Sequence, residues 1–118
     1  MTEAIEKEIQ AAGKTAPRIT PADIESNITS EFYFTAADGV DGASGHRPNS
    51  VRAGTALGLL TFCVLVLKNG FTVTGESACA SPENFDAEIG RKIARANAIA
   101  KIWPLMGYEL RTELFKGE

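Results

Sequence analysis

Apolar residues are unevenly spread along the chain, and their spacing defines the elements. Residues 59–68 read LLTFCVLVLK and residues 71–80 read FTVTGESACA, two runs joined by Asn69-Gly70. Asn-Gly accommodates two successive positive φ values, so the pattern predicts a β-hairpin closed by a two-residue type I′ turn. Such a turn sets Lys68 opposite Phe71, Val66 opposite Val73 and Cys63 opposite Glu76. One face then carries Leu60, Phe62, Val64, Val66, Phe71 and Val73, and is predicted to be the core face. The other is mixed: Thr61, Cys63, Leu65, Leu67, Thr72, Thr74 and Glu76. Its apolar strip of Cys63, Leu65 and Leu67 needs cover from the N-terminal helices or a second protomer, which makes these three candidates for an oligomer interface.

Upstream, Glu31 to Thr35 (EFYFT) reads as a strand. Thr20-Pro21-Ala22-Asp23 is a helix start: Thr20 caps, Pro21 fits the first position, and Asp23 returns a bond to the cap. That helix is predicted to run from Pro21 to about Thr29. Ile5 and Ile9, four apart, allow a short helix in the first twelve residues, followed by a linker with Pro17. Residues 37–58 hold five glycines, Gly39, Gly42, Gly45, Gly54 and Gly58, and read as a long loop. Ser81-Pro82-Glu83 is predicted to open the last helix, with Phe85, Ile89, Ile93, Ala96, Ala100 and Trp103 as its core stripe. Pro104 should kink or break it before it resumes over 105–115. The fold class is α+β: an antiparallel hairpin or three-stranded sheet packed by a long C-terminal helix, with one or two short N-terminal helices. Residues 1–18 form an N-terminal helix and linker, and 19–118 a single domain with the Gly-rich loop at 37–58.

Composition narrows the function more than the fold. Twelve Lys+Arg against fifteen Asp+Glu leave a net charge of −3, which argues against nucleic acid as a partner. One histidine and two cysteines are too few for a zinc site of His and Cys. No metal motif and no Gly-rich phosphate loop is present, so neither metal nor cofactor is expected. The longest apolar run, Leu57 to Leu67, is too short to span a membrane. The start, MTEAIEKEIQAAG, lacks the apolar stretch of a secretory signal. The expectation is a cytoplasmic protein whose cysteines stay reduced. In the predicted register Cys63 and Cys79 lie on opposite faces, which argues against a disulfide between them.

Three groups of side chains carry candidate chemistry. Thr74, Glu76 and Ser77 sit at the strand-to-helix junction, where hydroxyls and free amides suit an anion. Arg91, Lys92 and Arg95 form a basic patch, with the guanidiniums of Arg91 and Arg95 one turn apart and spaced to clamp a phosphate or carboxylate. Cys79 near a helix start, with Glu76, is the remaining route to an enzyme, although it lacks a histidine partner. His46 lies in the loop and has no orienting partner. No catalytic residue is assigned.

Residues 69–94, NGFTVTGESACASPENFDAEIGRKIA, resemble the signature of the phage "gene product 49" family, small proteins of tailed phages and prophages. The resemblance continues through Lys101-Ile102-Trp103 and Gly107-Tyr108-Glu109-Leu110, and upstream through Tyr33-Phe34-Thr35-Ala36 and residues 59–67. It implies a phage origin and carries over no catalytic residues. The functional expectation is therefore a non-enzymatic accessory protein of the host cytoplasm that acts by stoichiometric binding. Its first form is a homo-oligomer that sequesters a small anionic, nucleotide-like host signal. The alternatives are a binder of a host protein and a small enzyme using Cys79 and Glu76.

Overall fold

The computed structural model describes residues 3–14, 16–45 and 55–118. Strand β1 (Ile28–Thr35) pairs antiparallel with β2 (Leu60–Leu67), which pairs antiparallel with β3 (Thr72–Ala78), so β2 is central. Helix α1 (Glu3–Ala11) and helix α2 (Pro21–Ser26) precede β1, and helix α3 (Ala36–Ser44) follows it. A long helix, α4 (Ala87–Lys116), crosses one face of the sheet. The fold is α+β, two layers thick, measuring 56 × 29 × 17 Å.

The hairpin forms where the alternation places it, but its register differs by one residue. Leu65 pairs with Val73 and Cys63 with Gly75. Leu67 donates its N–H to the Phe71 carbonyl at 2.8 Å, and Gly70 donates to the Leu67 carbonyl at 2.9 Å, leaving Lys68, Asn69 and Gly70 as a three-residue loop. Gly70 takes the left-handed conformation, φ +87°, that such a loop requires. Asn69 accepts the Phe71 N–H through its side chain at 2.9 Å. Lys68 donates its N–H to Asn27, to both the carbonyl (3.0 Å) and Oδ1 (3.1 Å). The junction between α2 and β1 thus withdraws Lys68 from the ladder.

A one-residue slip moves one strand's side chains relative to the other's faces. Val73 and Gly75 join Thr61, Cys63, Leu65 and Leu67, and this is the face α4 covers. Cys63 and Leu65 are 0% exposed and Leu67 5%. The expectation that Cys63, Leu65 and Leu67 form an oligomer interface is therefore corrected: the chain's own helix buries them. Leu60, Phe62, Val64 and Val66, predicted as core, lie on the open face. Cys79 and Cys63 share a parity, not opposite faces. Both thiols are free, and four residues of strand, about 13 Å, separate Cys79 from Cys63's partner position, too far to bridge.

The helix packs differently from expectation for a related reason. Its buried row is Gly90, Ala94, Ala98 and Ile102, spaced by four. Opposite them, a Cβ on Gly75 would collide with the Ala94 carbonyl and the Ala98 amide. Helix and strand backbones touch, so only small residues fit between them. Ile89 and Ile93, predicted as core, face outward at 55% and 47% exposure. Ile24 of α2 completes the core, with Tyr33, Trp103 and Met106 packed at its margin.

Capping governs the ends. Thr20 and Asp23 form the capping box read from the sequence, although α2 stops at Ser26, short of Thr29. Thr35 and Asp38 form a second box, which nucleates α3 where a loop was expected. Residues 46–54, including His46, lie outside the described residues. Pro82–Asn84 makes only a 3₁₀ turn, and α4 begins at Ala87 under the Asp86 carboxylate, five residues later than Pro82. It then runs unbroken through Pro104. The carbonyl that Pro104 leaves without a donor belongs to Ala100, which is solvent-exposed.

Helix α1 buries no residue. Its tie to the body is a two-pronged pair, Arg18 Nη1 to Glu6 Oε1 at 2.6 Å and Nη2 to Oε2 at 2.7 Å. That hydrogen bonding holds the Glu6 carboxyl below its usual pKa range.

Candidate functional site

The six residues expected to hold an anion do not converge. Thr74 and Glu76 lie on the open face of β3, where the Thr74 hydroxyl donates to Glu76 Oε1 at 3.5 Å. Ser77 has the opposite parity and lines a cleft of about 200 Å³ with Leu59, Cys79, Phe85 and Ile89. Lys92 pairs with Glu88 at 3.4 Å in solvent. Arg91 and Arg95 point toward β1, across the sheet from β3.

Arg95 is held by two carboxylates. Its Nε donates to Glu31 at 3.0 Å and its Nη2 to Glu25 at 2.8 Å, pinning α4 to β1 and to α2. The Glu25 and Glu31 hydrogen bonds raise its already high pKa. Two carboxylates around one guanidinium leave a net negative cluster, which repels an anion. Beside it, Tyr33 donates to Glu31 at 3.3 Å. Burial, reinforced by Cys63 and Glu31, pushes the phenol up to about 12. Burial likewise raises the Cys63 thiol, which suits a core residue and not a nucleophile.

Arg91 borders a small cleft of about 90 Å³ with Tyr33, Phe34, Thr35, Asp38 and Phe85. The starts of α3 and α4 both reach it, and each already has its own carboxylate. Asp38 accepts the Thr35 N–H at 2.9 Å, and Asp86 accepts the Ile89 N–H at 3.0 Å. Cys79 is half-buried and donates its thiol hydrogen to the Ser81 carbonyl, Sγ to O 3.2 Å. Glu76 projects from the other face of the strand, so no Cys79/Glu76 pair is assembled. Among the described residues, no cluster of His, Cys, Asp or Glu is placed to hold a metal ion.

The feature that the sequence reading misplaced is the open face of the sheet. Phe32 and Phe34 of β1 lie beside Phe62 and Val64 of β2, with Val66, Thr72 and Thr74 adjoining. Phe32 is 57% and Phe34 38% exposed. Phe34 and Phe62 pack with ring centroids 5.5 Å apart and planes tilted by 31°, and Gly39 of α3 packs against the Phe34 ring. Among the strand residues of this face, Glu76 alone carries a formal charge. Phe32 and Phe34, two apart within EFYFT, were the signal: once β1 pairs with β2, they must share the face of Phe62 and Val64.

The fold and this surface define a two-layer α+β scaffold in which, among the described residues, one apolar sheet face is left open and no catalytic group is assembled. A family model described as phage protein (N4 Gp49/phage Sf6 gene 66) matches residues 19–114, and the chain belongs to that family. No curated protein and no solved structure matches it. Among the described residues, no helix is long and apolar enough to cross a membrane.

Proposed function

We propose that this phage protein acts by stoichiometric binding without turnover, and that the open sheet face receives a host protein. The observation that carries the reading is the row Phe32, Phe34, Phe62 and Val64, apolar, contiguous and uncovered by α4. A nearly uncharged face offers nothing to a phosphate backbone or a small anion. It suits the apolar core of a protein interface, where charged residues are depleted. The test is photo-crosslinking in bacterial cells from a reactive residue placed at Thr72, followed by identification of the adduct. A specific protein adduct that is lost in Phe32→Asp and kept in Arg91→Ala supports the reading. An adduct indifferent to Phe32→Asp overturns it.

Sequestration of a small anionic host signal is the second reading, and Arg91 favours it. Unlike Arg95 and Lys92, Arg91 has no carboxylate partner among the described residues, and aromatic rings of Phe34 and Phe85 border its cleft. A thermal-shift panel of linear and cyclic nucleotides checks it. A ligand at a hundred times its dissociation constant adds about 2.7 kcal/mol, and Arg91→Ala should abolish the shift. No shift with any nucleotide removes this reading.

A further inference from the structure

Helix α4 carries a second apolar stripe beside its buried row: Trp103 touches the core margin and Ile89 and Ile93 border the cleft at the end of β3, while Ala96 and Ala100 face outward. Ile89, Ile93, Ala96, Ala100, Trp103, Gly107, Leu110 and Leu114 recur at alternating intervals of four and three. The sheet-facing row keeps a strict interval of four. On a helix of 3.6 residues per turn the centres of the two rows lie far apart around the axis, although Ile89, Ile93 and Trp103 are each only about 100° from their buried neighbours Gly90, Ala94 and Ile102. A spacing of 3.5 sustained along most of a 30-residue helix is the pattern by which two helices pack against each other. Of its residues, Trp103 also packs at the margin of the chain's own core, and Gly107 and Leu110 are half-buried. Ile89, Ile93 and Leu114 are exposed, as are Ala96 and Ala100.

We propose that the occupant of this stripe is α4 of a second copy, packed antiparallel about a two-fold axis between Lys101 and Ile102. The sizes match only in that direction. Ile89 meets the partner's Leu114, Ile93 the partner's Leu110, Ala96 the partner's Gly107, and Ala100 the partner's Trp103. Large layers close both ends, small ones let the backbones approach, and the one bulky indole falls on an alanine. A parallel pairing would instead stack Trp103 on itself and leave Gly107 facing Gly107.

Charge selects the same arrangement. An antiparallel two-fold brings identical flanks together, so Lys92, just before Ile93, comes within reach of the partner's Glu113, just before Leu114. The pair occurs twice in the dimer. Within the chain these two residues have only solvent-exposed neighbours, Glu88 and Lys116, each at 3.4 Å. Between the charge pairs, only the outer edges of Ile99 and the partner's Met106 adjoin, since each side chain is partly buried against its own core.

Sedimentation equilibrium of the full chain, with Trp103 fluorescence on dilution, tests the proposal. The chain has one tryptophan, at the core margin as well as in the proposed central layer, so a change in its emission at constant circular dichroism reports that layer. A species of twice the 12.6 kDa chain mass is expected, with emission moving to longer wavelength as it dissociates. Ala100→Glu, at an exposed position, should give a monomer with unchanged helical circular dichroism. Lys92→Glu or Glu113→Lys alone should weaken association about tenfold, and the two together should restore it. The rescue is diagnostic. Within one chain the double swap sets a carboxylate at position 92 against Glu88 and an ammonium at position 113 against Lys116, which worsens both local contacts. A chain that stays monomeric, a dimer that survives Ala100→Glu, or a double swap no better than the singles overturns the antiparallel pairing.

Discussion

Gly75 decides more of this structure than any large side chain. With a Cβ there, either α4 lifts off β3 or the strand bends, since the obstructing atoms belong to the Ala94 and Ala98 backbone. Gly75→Ala should cost about 3 kcal/mol in urea unfolding, the upper end of overpacking penalties. Gly107, with open space around its would-be Cβ, makes the contrast. Gly107→Ala, measured in the monomeric Ala100→Glu background, should stabilise the helix by about 0.8 kcal/mol in the same assay. Tyr33 sets the alkaline limit. Its phenol titrates near 12 when folded against about 10 when unfolded, so the unfolded state ionises first as pH rises. The protection it gives is complete below pH 10 and is lost progressively towards 12. Wild type should lose about 1–2 kcal/mol relative to Tyr33→Phe across that window.

At the scale of elements, local rules carried well and tertiary ones did not. The cap at Thr20, the strand at residues 31–35, the hairpin and the long final helix were all legible, because each rests on residues within one turn or one strand. The hairpin register was not. Asn69-Gly70 fits a two-residue turn by itself, and only Asn27, some forty residues upstream, converts it to three by binding Lys68. The helix face was missed on the same ground. Hydropathy ranks Ile89 and Ile93 above Gly90 and Ala94, whereas backbone contact at Gly75 selects by size. The anion-site candidates scatter because spacing along α4 says nothing of Glu25 and Glu31, which reach Arg95 from other elements. The α1 tether gives an element-scale prediction. Arg18→Met should abolish hydrogen-exchange protection in residues 3–11 while leaving β2 unchanged. Acidification should do the same in wild type, because a carboxylate with a lowered pKa gives its contribution above the usual range and loses it as pH falls through the shifted value.

Across the whole molecule, the two surfaces point in opposite directions. The helical stripe lies on one side of a slab 17 Å thin, and the open sheet face on the other. Two copies joined through α4 would therefore present two sheet faces outward, each able to hold a partner. Calorimetric titration with the captured host protein should give one partner per chain. Half that number would mean that the two faces obstruct each other.

The contact between strand and helix backbones at Gly75 also bears on compressibility. A core with its main chains in direct touch encloses little void, and void is what hydrostatic pressure removes when it unfolds a protein. The volume change on pressure unfolding, followed through Trp103, should fall near the small end of the usual range, about 20 mL/mol in magnitude. Gly75→Ala, by wedging the two layers apart, should make the protein yield at markedly lower pressure.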